Sequence, residues 1–178
     1  KTIPIAGNSP NVQVEEVKTS IDIYPEGGDL IQGVASTLAI KASAPDRIGN
    51  GERVRLFDKQ DSLIAEVDTN EDGIALFQLI PDLNNPYTAS ISGSETEFEL
   101  PEIKSEGYVL SIDALTSENW VMVDINSNLE KNHELFLIAQ TRGAISYASQ
   151  VNFKESGAQV RVPKKDLISG ITQFILFN

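Results

Sequence analysis

Few side chains in this sequence have the type and spacing that chemistry needs, and the best placed of them are oxygen donors. Asp68-Thr69-Asn70-Glu71-Asp72-Gly73 fits the D-x-N-x-D-G opening of a calcium loop. In such a loop, oxygens at alternate positions face one cation and a glycine lets the chain turn sharply. Asp68, Asn70 and Asp72 are therefore the calcium candidates. The twelfth position should be a bidentate Glu, but counted from Asp68 it is Leu79, and from Ile74 the residues alternate like a strand. An Asp-Gly hairpin turn between Val67 and Ile74 explains the same residues without a metal and is the favoured reading.

His133 is the sole imidazole, so a small Ser-His-Asp hydrolase would have to use it. Ser92-Gly93-Ser94 lacks the flanking spacing of a nucleophile elbow, and neither an orienting group nor an oxyanion hole is signalled. No catalytic residue is assigned, and no cofactor is implied. Glu95, Glu97 and Glu99 share one face of a strand, which describes a charged outer face or a guarded edge better than a glycosidase carboxylate pair. Gly49-Asn50-Gly51 has no helix after it, so it reads as a hairpin turn and not a phosphate cradle. Trp120, Tyr108 and Tyr147 are scattered and are expected in core or rim packing. A carbohydrate-binding pair, with rings exposed on one sheet face, is the alternative.

The elements that must position these residues are bounded by composition. The 178 residues contain no Cys, so disulfides, thiol catalysis and Cys-based zinc sites are excluded. Lys and Arg number 14 against 26 Asp and Glu, a net −12. That acidity argues against nucleic acid, whose phosphates need clustered cations. No apolar run approaches the roughly 20 residues of a transmembrane helix, so no membrane insertion by this segment is expected. Residues 1–101 hold 7 Lys and Arg against 17 Asp and Glu, net −10, whereas residues 102–178 hold 7 against 9, net −2. That asymmetry and the Leu100-Pro101-Glu102 punctuation suggest two units.

Both halves read as strands separated by turns. In the first, strands are expected over 20–24, 37–42, 53–57, 63–67, 74–80, 87–91 and 96–100, each alternating apolar and polar residues as a half-buried antiparallel strand does. In the second they are expected over 108–112, 120–125, 134–139, 144–153, 158–162 and 171–177. The nearly continuous apolar run at 134–139 suggests burial on both faces. Lys164 to Gly170 reads as a helical turn closed by glycine. The absence of long amphipathic helices excludes parallel α/β folds. Both ends, Lys1-Thr2-Ile3-Pro4-Ile5 and Phe174 to Asn178, look cut from a longer chain.

A family resemblance emerges from ordered motifs. Tyr24-Pro25-Glu26-Gly27-Gly28-Asp29-Leu30-Ile31 resembles the F-P-E-G-G-D-L-V opening of a macroglobulin-like domain of large exported proteins from Bacteroides-type bacteria. Asp72-Gly73-Ile74-Ala75-Leu76-Phe77 is similar to that domain's D-G-x-G-x-F strand entry, and Glu106-Gly107-Tyr108-Val109-Leu110 to the E-G-Y-x-L opening of the next. Leu137 to Gly143 and Asp166 to Ile171 resemble L-x-x-Q-S-R-G and D-L-P-x-G-I.

The resemblance implies an all-β fold of two tandem antiparallel β-sandwiches, immunoglobulin-like or macroglobulin-like. Residues 1–18 would be a linker or the tail of a preceding domain, 19–101 an acidic sandwich, and 102–178 a second sandwich short of its last strand. Their role would be that of non-catalytic structural or interaction modules in an exported protein, resident in the periplasm, on the outer-membrane surface or outside the cell. Partners would be neighbouring domains of the same polypeptide, with another protein joined by strand addition or a surface glycan as further options. Gly27-Gly28 and the short second sandwich are the expected places for strand addition. The superfamily's Cys-Gln thioester cannot form without Cys. Such bacteria O-glycosylate exported proteins at Asp followed by Ser or Thr and a small or apolar residue, which makes Ser62 of Asp61-Ser62-Leu63 a glycosylation candidate.

Overall fold

A computed structural model describes residues 20–43, 51–130, 134–153 and 157–177. These form an all-β structure with no α-helix among the described residues and several antiparallel sheets. The strands are β1 (Ser20–Pro25), β2 (Leu30–Ile31), β3 (Ser36–Ser43), β4 (Arg53–Phe57), β5 (Leu63–Asp68), β6 (Ile74–Leu79), β7 (Thr88–Ile91), β8 (Glu97–Glu99) and β9 (Ile103–Lys104). They continue as β10 (Tyr108–Asp113), β11 (Trp120–Ser127), β12 (Leu135–Thr141), β13 (Ala144–Val151), β14 (Gly157–Pro163) and β15 (Thr172–Phe177).

Two sheets, ordered β1-β3-β6 and β5-β4-β7-β8, contribute to one buried cluster. Period-two alternation explains it: Leu38, Ile40 and Ala42 of β3 and Ala75, Phe77 and Leu79 of β6 turn inward, to meet Val54, Leu56, Ala89 and Ile91 from the other sheet. Ile103, two residues beyond Pro101, still packs against this cluster. The sheets β10-β11-β14 and β13-β12-β15 share a second cluster built on Val121, Val123, Ile125, Leu135, Leu137 and Val162. β2 and β9 form a short parallel pair. No helix of the described residues is long and apolar enough to cross a membrane.

Several expectations are corrected. The apolar run at 134–139 is not buried on both faces: Phe136 is 44% exposed while Leu137 is fully buried. An unbroken apolar run does not by itself distinguish burial on one face from burial on two. The Asp68–Gly73 segment is a turn, but it joins β5 in one sheet to β6 in the other, so it is no hairpin. Gly49 and Asn50 lie outside the described residues. The strands on either side, β3 and β4, also belong to different sheets, so their connection is not a hairpin either. At Lys164–Asp166 there is a single 3-10 turn, closed at Leu167 and not by glycine. Leu167 takes extended backbone and packs into the second cluster, which ends the turn three residues early.

Candidate functional site

The calcium candidates already have partners within the protein. The Arg53 guanidinium grips both Asp68 carboxylate oxygens, with Nε at 2.7 Å and Nη2 at 3.1 Å. This hydrogen bond holds the Asp68 carboxyl below its ordinary value and the guanidinium above its own. Asn70 Oδ1 accepts the N–H groups of Asp72 (3.0 Å) and Ile74 (2.9 Å), folding the turn locally. Among the described residues no group of three or more His, Asp or Glu is placed to hold a metal ion. Ser62 sits exposed at the tip between β4 and β5, in a turn held by Asp58 Oδ1, which accepts the N–H groups of Gln60 and Ser62. His133 lies outside the described residues.

The three aromatic candidates do not share one platform. Tyr108 packs obliquely on Phe153, ring centroids 5.8 Å apart, and Tyr147 is half-buried against the second cluster. Trp120, 41% exposed, stands alone beside Glu118, Asn119 and Lys164. Glu97 and Glu99 project from β8 into solvent.

The most organised polar contacts lie where the two glycine-containing motifs meet. Glu26 Oε1 accepts the Ile112 N–H at 3.0 Å. Gly27 has φ of +86°, and a Cβ built there would lie 2.9 Å from the Leu110 backbone nitrogen, so both conformation and space demand glycine. Ile31, Val34 and Val109 form a third, small buried cluster. Asn128 ties the ends of three segments together: its side-chain amide donates to the carbonyls of Gln32 (2.9 Å) and Ser105 (2.8 Å), and its Oδ1 accepts the Gly107 N–H at 3.1 Å. Lys104 pairs with Asp29 at 2.7 Å. Gly27 thus lies against the Leu110 backbone, whereas Gly28 beside it has open space. The joint residues Glu26, Gly27 and Asn128 were missed as a set because only the fold brings them together. The Glu-Gly pairs at 26–27 and 106–107 were the available signal.

A second feature is a cleft of about 600 Å³ bordered by residues 21–23 of β1 and 97–101 at β8. It lies at one flank of the first half, between the edges of the two facing sheets.

Compared with known proteins, the chain matches no family model. No curated protein is significantly similar to it.

Proposed function

We propose that residues 19–101 and 102–178 are two tandem antiparallel β-sandwiches of immunoglobulin-like, macroglobulin-like type. They would serve as non-catalytic structural and interaction modules of a larger exported bacterial surface protein. The observation that supports this reading is the joint. Its hydrogen bonds, its glycine-only contact and its own small apolar cluster are spent on holding two halves in a fixed relation. A spacer needs that property and a lone binding domain does not. The ordered motif resemblance supports the export and the macroglobulin-like type, and Ser62, exposed at a hairpin tip, is open to the glycosylation the resemblance implies.

The test is backbone ¹⁵N relaxation on the whole chain. One rotational correlation time is expected for both halves. Val109→Asp, which places a charge in the small cluster, should split it into two while each half keeps its own amide spectrum. Independent tumbling of the halves in the unmodified chain would overturn the reading.

A further inference from the structure

Resting on the interaction-module reading, we propose that the cleft between β1 and β8 receives a strand from a partner protein, an extended segment in which apolar residues alternate with Lys or Arg. The backbone phase of both edges supports this. The Glu26 N–H bonds the Thr37 carbonyl at 2.8 Å, continuing the β1–β3 register in which Tyr24 faces Ala39 and Asp22 faces Lys41. Bonding direction alternates along a strand, so residues 20, 22 and 24 bond β3 while Ile21 and Ile23 turn N–H and C=O away from it. Pro25, which has no N–H to offer, falls on that same outward side.

On β8, the Leu100 N–H bonds the Tyr87 carbonyl at 3.0 Å. Phe98 therefore bonds β7, and Glu97 and Glu99 point their backbone groups outward. Two ladders with no partner strand among the described residues thus border one cleft. At the opposite flank β5 and β6 lie against each other, so among the described residues the open flank is this one.

The cleft's chemistry selects the occupant. Ile21, Ile23, Phe98 and Leu100 pack on the first cluster and give an apolar floor. Asp22, Glu97 and Glu99 stand exposed on its rim, and among the described residues no basic side chain lines it. An entering strand would bury every second side chain on that floor and set the others among the carboxylates. The same carboxylates repel acidic strands, including another copy of this acidic half, so they act as a filter as well as an attraction. The second half as a whole carries no comparable acidity.

The experiment titrates the whole ¹⁵N-labelled chain with an end-blocked peptide of about ten residues alternating Val and Lys, and with its Val and Glu counterpart. Expected are hydrogen-exchange protection at the amides of Ile21, Ile23, Glu97 and Glu99 with the Lys peptide, binding that weakens as salt rises, and no binding of the Glu peptide. Glu99→Pro, at an exposed position whose N–H is outward, should keep the fold and weaken binding about tenfold. Glu97→Lys with Glu99→Lys should reverse the peptide preference, and it decides the matter if the proline variant fails to fold. Equal binding of both peptides, protection at another edge, or an unchanged preference after charge reversal would overturn the proposal. So would no binding of the Lys peptide while the chain still tumbles as one body, which leaves the spacer reading standing. Loss of common tumbling with binding intact would do the opposite.

Discussion

Asp113 shows how much one side chain can hold in place. Its carboxylate is kept below the ordinary range first by the Thr116 hydroxyl, then by the N–H groups of Thr116 and Leu115, both 2.9 Å from Oδ1. A group whose folded pKa is lowered adds stability that is fully present above its unfolded pKa of about 3.9 and disappears as pH falls through the folded value. Asp113→Asn should therefore melt below the parent at neutral pH, and the two curves should converge as pH falls through the lowered folded value. A urea or thermal series against pH checks this; a gap that persists in acid would mean that the charge is not its source. Asp68 belongs to the same class through Arg53, and it marks a limit of sequence reading. The donor oxygens at 68, 70 and 72 stand out in the sequence, but the cation that engages the first of them comes from a residue 15 positions away.

At the scale of elements, alternation located the long strands because a half-buried strand must alternate, whatever it pairs with. It could not reveal partnership. The sequences at 68–73 and 49–51 have hairpin chemistry, yet the strands that flank each belong to different sheets. β2 and β9 went unseen because two residues carry no period. β12 tests the one-sided burial directly. Leu137→Ala should cost about 2–5 kcal/mol by emptying a fully buried position. Phe136→Ala, next to it but half-exposed, should cost about 1 kcal/mol or less. Denaturant melts of the two variants compare these values, and equal large losses would mean that the outer face of β12 is covered after all.

At the scale of the whole molecule, the net charge of −12 is concentrated in the first half, and the exposed ion pairs among the described residues add little stability against it. Raising the salt from about 10 to 150 mM shortens the screening length from about 30 to 8 Å. The melting temperature should rise by about 1–3 °C as self-repulsion fades; a fall would mean that the ion pairs outweigh the repulsion. The division into an acidic and a nearly neutral half could be read from residue counts, whereas the joint between them could not, because it depends on which loop lies against which strand. That joint also sets how tension would travel if the chain were pulled from both ends. The bond from the Ile112 N–H to Glu26 bridges 86 positions of chain. While it holds, part of the force passes from the end of β1 across to β10, and the β1–β3 ladder carries the rest. When it gives way, the load falls on the β1–β3 ladder, and only once that ladder also fails can up to roughly 290 Å of folded chain come into line, so the joint is the first of two catches on a stored length of chain.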